Sequence, residues 1–297
     1  MNQNHGGSML WRADLHCHTT YSDGLLSPAE LVDLALKQGL HGLSVCDHDT
    51  VFAYRELLHP SLAEKIKIGS GIELSCALDG RNIHLLGYDF LPQSPLLLDL
   101  YYKHKERRKL RNSEMVEKLK KRGLDIVDLF EQFQIENPEK VIGRPHLAAC
   151  LMKKKYVASM EEAFRMLLGE NGSCYVPGAA FTVEEAFDAI KRSKGKLFIA
   201  HPYLLKPASL LKKLLVYPFD GIEVYYAHLR NVEPFLKIAN DRGWLISGGS
   251  DFHGENKPNA SLGSSWVEED KFSAIFENRK EYQYPLMPAD SEKLSSQ

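Results

Sequence analysis

The segment Asp14-Leu15-His16-Cys17-His18, followed by Asp23, constrains this chain more than any other stretch. Successive side chains on a β-strand alternate faces, so His16 and His18 point the same way about 7 Å apart. Two imidazoles on one face of a strand end can bind one metal ion. A lone His-x-His also arises by chance, but five later segments repeat its design, an apolar run ending in His, Asp or Glu. Leu43-Ser44-Val45-Cys46 runs into Asp47-His48-Asp49, and Ile66-Lys67-Ile68 leads through Gly69 and Gly71 to Glu73. Asn82-Ile83 precedes His84, Lys196 to Ala200 ends at His201, and Trp244 to Gly249 ends at Ser250-Asp251-Phe252-His253. Buried parallel strands read as short apolar runs, and ligands collect beyond their C-terminal ends. Together with Gly143-Arg144-Pro145-His146, these motifs hold seven of the twelve histidines.

Between the motifs, strand and helix alternate. Ser27-Pro28-Ala29-Glu30 predicts a helix start, with Ser as N-cap, Pro at N1 and Glu closing a capping box, and Gly39 is placed to end that helix. Helices are expected over Val183 to Arg192 and near Val232 to Arg242, with a strand near Phe219 to Val224. The alternation predicts a mostly parallel sheet. Residues 98–180 break it. Leu100 to Arg122 reads as a long helix dense in Lys and Arg, and Lys153-Lys154-Lys155 adds a second basic run. This region is expected to stand over the mouth of the sheet, either as a solvated helix face or as a basic surface that attracts phosphate. The net charge of −2 makes no global case for nucleic acid. Five cysteines without a CxxC pair argue against a disulfide framework and fit reduced thiols in the cytoplasm. No run reaches membrane-span length and no apolar leader is visible, so no membrane partner is expected.

The order and wording of the motifs, from Asp14 to about Gly263, resemble the PHP family, named for polymerase and histidinol phosphatase. The likeness is greatest to its stand-alone bacterial branch with a helical insertion, which includes 3′,5′-nucleotide bisphosphate phosphatases and 5′-3′ exoribonucleases. The resemblance implies an α/β fold, a distorted (β/α)7 barrel, from residues 11–97 and 181–288. A helical insertion at 98–180 would serve as lid, and a polar tail would occupy 289–297. It also implies two or three divalent ions. His16, His18, Glu73 and Asp251 would hold one; Glu73 would bridge to a second, completed by His84 and His201; Asp23, His48 and His253 would hold a third. Asp47 and Asp49 would orient imidazoles or fix the turn. Donors of this kind, without thiolate, suit Mn²⁺, Fe²⁺ or Zn²⁺, with manganese the first expectation.

The implied reaction is phosphoester hydrolysis by a metal-bound hydroxide, with no side-chain nucleophile. Arg144 would grip substrate phosphate bidentately and His146 would donate a further hydrogen bond. The expected substrates are a 3′,5′-bisphosphonucleotide, a 5′-mononucleotide, or the 5′ end of short RNA. A histidinol-phosphatase-like small phosphomonoesterase and a non-catalytic metal-binding module are the alternatives. Taken singly, His84 and His201 read as satisfied core histidines, and Asp251 with His253 as a structural pair; jointly the set favours metal. Glu223 fits a structural role as well as one beside the ligands. His5, His41, His59, His104 and His228 read as ordinary histidines, and Cys17 and Cys46 as packing residues on the face opposite the ligands.

Overall fold

The computed structural model describes residues 10–282 except 179, 228 and 258. The polar start with His5, His228, residues 283–288 of the expected barrel and the polar tail lie outside the described residues. The strands are β1 (Ala13–Cys17), β2 (Gly42–Val45), β3 (Lys67–Leu78), β4 (Arg81–Tyr88), β5 (Phe181–Thr182), β6 (Lys196–Ile199), β7 (Gly221–Tyr226) and β8 (Leu245–Gly249). They follow the order β1-β2-β3-β4-β6-β7-β8, with the two-residue β5 on β3. Where β1 and β8 meet, the Asp251 N–H donates to the His16 carbonyl at 2.6 Å and the His18 N–H to that of Phe252 at 2.9 Å. The sheet thereby approaches closure as a barrel, in an α/β fold of the expected kind.

One strand departs from the expected parallel pattern. β1, β2 and β3 pair in parallel, as do β6, β7 and β8, but β4 runs antiparallel to both β3 and β6. The cause is local: Asp79 and Gly80 both have positive φ and close a two-residue hairpin between Leu78 and Arg81. His84 therefore sits near the start of an antiparallel strand, not at the end of a parallel one. The start of β4 still lies at the same end of the barrel as the C-termini of its parallel neighbours, so His84 reaches the same place. Glu73, similarly, is mid-strand in a long β3 that leaves β2 after Ser70 and continues along β4.

Helix Pro28–Lys37 begins with the expected capping box on Ser27 and Glu30, and Gly39 follows its end at φ 70°. Helix Val183–Arg192 keeps the expected bounds, and Glu233–Arg242 starts one residue later than expected. The basic helix runs Pro95–Lys120, starting five residues earlier because Ser94-Pro95 supplies its N-terminus. Its buried stripe is Leu97, Leu100, Tyr101, His104, Arg108, Asn112, Met115, Val116 and Leu119. The far end of that stripe packs in a separate apolar cluster with Phe130, Leu147, Leu151 and Leu168. Phe272 and Phe276 cover the starts of β2 and β3, where an added Cβ at Gly42 or Gly69 would meet their rings. All five cysteines are free and buried; the Cys17 thiol donates to Ser44 O and the Cys46 thiol to Leu15 O.

Gly249 sets how closely β8 approaches β1, since a Cβ there would fall 2.3 Å from the His16 backbone nitrogen. Gly249→Ala is expected to destabilise the protein by about 1–3 kcal/mol through overpacking, read as a lower urea midpoint. An unchanged midpoint would contradict so tight a seam.

Candidate metal centre

Six of the strands, or the segments just after them, deliver polar side chains to the same end. β1 and the turn after it carry His16, His18 and Asp23; the segment after β2 carries His48. Glu73 lies on β3, His84 on β4 and His201 just past β6, while Asp251 and His253 come after β8. Most of this cluster is buried, with His16 and His18 fully so.

Glu73 is the hub. One of its oxygens lies 3.2 Å from Nε2 of both His16 and His18 and 3.5 Å from His48 Nδ1. The other lies 2.8 Å from His84 Nδ1 and 2.8 Å from His201 Nε2. Asp251 Oδ1 closes the first group at 3.3 Å from His18 Nε2 and 3.7 Å from His16 Nε2. Asp23 stands 3.3 Å from His253 Nε2, 3.8 Å from His18 Nδ1 and 3.9 Å from His48 Nε2.

Three groups of donor atoms, each mutually within 4.8 Å, can hold an ion: His16/His18/Glu73/Asp251, His18/Asp23/His48/His253, and His48/Glu73/His84. The first coincides with the expected set. The other two share His18 and His48 more widely than expected, and His201 sits beside the third through Glu73 and His84, at 3.3 Å from the latter. The donors fit divalent ions on a further observation. His16 Nε2, both ring nitrogens of His18, His48 Nδ1, His201 Nδ1 and Asp23 Oδ1 are buried without a hydrogen-bond partner among the described residues. Buried polar atoms are normally satisfied, and ligation would satisfy these.

Charge within the cluster is balanced by protons. Burial disfavours a charged His18, yet Asp251 and Glu73 hold it up at about 9. Burial likewise opposes charge on His16, which Glu223, Glu73 and Asp251 keep well above its usual value. Against its own burial, Glu73 is held far below the usual carboxylate range by His48, His84 and His16. Burial pushes His48 the other way, down to about 3.

The surrounding groups set the ligands in place. Glu223, open between two roles in the sequence, accepts from His16 Nδ1 at 3.0 Å and from the His201 backbone N–H at 2.6 Å. Such a carboxylate fixes ring orientation and tautomer. Asp47 fixes the turn, accepting from Thr19 N, Thr19 Oγ1 and Ser22 Oγ just ahead of Asp23. Asp49 reaches the basic helix, 2.9 Å from His104 Nε2 and 2.5 Å from Arg108 Nη2. His104 is thus more than a packing histidine. Asp14, given no role by the sequence, accepts from Ser250 N and Oγ and from Gly263 N, and burial raises its carboxyl to about 6. Lys257 and Tyr226 both bond Asp251 Oδ2, on the side away from the imidazoles.

Of the two expected phosphate contacts, Arg144 lines a cleft with Asp23, His48, His84, Arg108 and Arg111. Its guanidinium lies 5.6 Å from the ring centres of both Phe164 and Tyr175. His146 is placed otherwise: Nδ1 accepts from Gly143 N at 3.0 Å and Nε2 donates to Ser22 O at 3.1 Å. Both ring nitrogens are thus engaged in holding the turn before Asp23. Arg111, lost in the sequence among other basic residues, is brought to Arg144. Burial and the charges of Arg108 and Arg144 lower its pKa to about 9, and among the described residues its guanidinium bonds the Asn112 amide oxygen alone.

Residues 14–107 match the model of the PHP domain. A 5′-3′ exoribonuclease of Haemophilus influenzae is 32% identical over 73% of this chain and 80% of its own length. A 3′,5′-nucleoside bisphosphate phosphatase of Chromobacterium violaceum is 29% identical over 84% of this chain and 90% of its own. Among solved structures, a candidate metal-dependent phosphoesterase from Bifidobacterium adolescentis superposes with a TM-score of 0.79. It is 28% identical, covering 89% of this chain and 94% of that one.

Metal uptake requires unprotonated imidazoles. With His18 near 9, and His16 raised by Glu223, Glu73 and Asp251 against its burial, the metal-free cluster favours protonated imidazoles. Binding of Mn²⁺ is therefore expected to release protons, and apparent affinity to rise with pH until about 9. Calorimetry in two buffers of different ionisation enthalpy reads this directly; equal heats in both would contradict it.

Proposed function

Because the chain belongs to the PHP family of metal-dependent phosphoesterases, we propose that it hydrolyses a phosphoester of a nucleotide that carries a second phosphate. Both a 3′,5′-bisphosphonucleotide and the 5′-phosphorylated end of an RNA meet that description. One observation carries the reading. Arg111 and Arg144 stand half-buried in one cleft beside the imidazole–carboxylate cluster, and among the described residues neither is in an ion pair. Two like charges partly withdrawn from water without a counter-ion repel each other, and a phosphate group supplies the missing anion.

His16, His18, Glu73 and Asp251 would hold one ion, Glu73, His84 and His201 a second, and Asp23, His48 and His253 a third, with manganese the first choice for such donors. When bound, divalent ions acidify water and neutralise charge on phosphate oxygens. The remaining work is positioning by the chain itself. Glu223 keeps the His16 ring turned toward Glu73. Asp47 and His146 hold the turn that presents Asp23. Asp49 fixes Arg108, leaving Arg111 and Arg144 as the cleft's guanidinium groups that have no carboxylate partner among the described residues. Phe164 and Tyr175 flank Arg144 and offer apolar faces to a base or ribose. Lys257 and Tyr226 hold the outer oxygen of Asp251, so that Oδ1 alone faces His16 and His18.

The relatives' names support both members of this substrate class. A small phosphomonoester such as histidinol phosphate would leave the arginine pair without an anion.

The test compares a 3′,5′-bisphosphonucleotide with 3′- and 5′-mononucleotides on Mn²⁺-loaded protein. Arg111→Met and Arg144→Met are each expected to lower kcat/KM on the bisphosphate by about 10- to 100-fold, the range for a lost charged hydrogen bond. Mononucleotides are expected to react poorly and to respond little to either change. Equal rates on mono- and bisphosphates, unaffected by both variants, would overturn the reading.

A further inference from the structure

A second cleft, of about 390 Å³, lies on the other side of Arg108 from the arginine pair. It runs between the Pro95–Lys120 helix and the segment 134–142. Lys105, Arg108, Lys109 and Asn112 recur at helical spacing and so share one face of the helix. Lys140 lines the cleft from the opposite segment, and Glu106 is the one acid among the described lining residues. Lys109 and Lys140 are in no ion pair among the described residues, and Lys105 donates to the carbonyl of Pro138. Ile135, on the same wall, is 79% exposed.

The cleft adjoins the one beside the candidate metal centre, with Arg108 as the residue they share. Gly143 packs so closely on Arg108 that an added Cβ would lie 2.9 Å from its Nη1. The neighbouring Val141 N–H donates to Tyr21 O at 3.1 Å, which sets this wall against the turn that carries Asp23.

We propose that this second cleft binds the phosphodiester backbone of single-stranded RNA beyond the nucleotide at the metal centre. The inference rests on the nucleotide reading above and narrows its substrate class to a strand. Cations on one helix face, with Lys140 on the wall opposite, suit a backbone that is tracked by charge and not read by sequence. Lys ammonium groups act as point charges on flexible stems and accept phosphates at varied positions. The exposed Ile135 beside them gives an apolar face on which a base can rest. A mononucleotide seated at the arginine pair has nothing to place here, so the cleft serves only a longer substrate.

Binding without turnover separates this inference from the nucleotide reading. Fluorescence anisotropy in EDTA would compare a 5′-phosphorylated, 3′-labelled octaribonucleotide with the matching dinucleotide on the full chain. Wild type is expected to bind the octamer more tightly. Lys109→Gln/Lys140→Gln is expected to weaken octamer binding about tenfold and to flatten its salt dependence by about 1.4 in the log–log slope, two lost contacts at roughly 0.7 each for a single strand. An octamer held no more tightly than the dinucleotide would overturn the inference, as would a double variant that keeps both affinity and slope. Failure of the Mn²⁺-loaded protein to hydrolyse both the bisphosphonucleotide and the 5′-phosphorylated octamer would instead overturn the nucleotide reading, and the binding comparison would still decide the role of the cleft.

Discussion

Glu73 places one buried carboxylate within 3.5 Å of the imidazoles of His16, His18, His48, His84 and His201. Those rings come from β1, the segment after β2, β4 and the end of β6, so one side chain ties together strands distant in sequence. A carboxylate so deeply buried is tolerable only when it is paired and hydrogen-bonded. Protons on His16 and His18 meet that need in the metal-free chain, and divalent ions would meet it better by also engaging the ring nitrogens that lack partners. Removing Glu73 would leave an uncompensated cluster of imidazoles, which makes the barrel end and the candidate site a single structural problem.

The barrel solves that problem by geometry. Its parallel strands all end on one side, and the antiparallel β4 begins there, so short side chains converge without long loops to position them. Glu223, Asp14 and Asp47 then act at one remove: each bonds backbone or ring atoms of ligand-bearing segments and leaves the central oxygens to Glu73, Asp251 and Asp23. The basic helix joins this frame through Asp49, whose carboxylate meets both His104 and Arg108. That one buried contact couples the helical segment to the residue beside His48, and the arginine pair inherits its position from it.

Much of this is legible in the sequence. The cluster residues stand out because His, Asp and Glu recur in one local context, the end of an apolar run. The direction of β4 is harder to read: Asp79-Gly80 is a strong two-residue hairpin signal, but the surrounding strand–helix alternation argues for parallel pairing. Arg108 and Arg111 are hidden for a different reason. In a helix crowded with Lys and Arg, composition does not separate a solvated cation from a buried one. The clue is periodic: His104, Arg108 and Asn112 fall on the same stripe as Leu97, Leu100, Met115 and Leu119, a polar interruption of a buried face. The motif around His146 suggests a phosphate donor, whereas its ring spans Gly143 and Ser22, a pairing across the fold that spacing along the chain does not encode.

The central claim is that the Glu73 cluster is a multinuclear metal centre. Crystals grown with Mn²⁺ and measured on both sides of the manganese absorption edge test it most directly. Anomalous peaks are predicted between His16, His18, Glu73 and Asp251, and beside Glu73 toward His84 and His201. A third is predicted near Asp23, His48 and His253. An absence of peaks at Glu73 in crystals that carry manganese elsewhere would contradict the account.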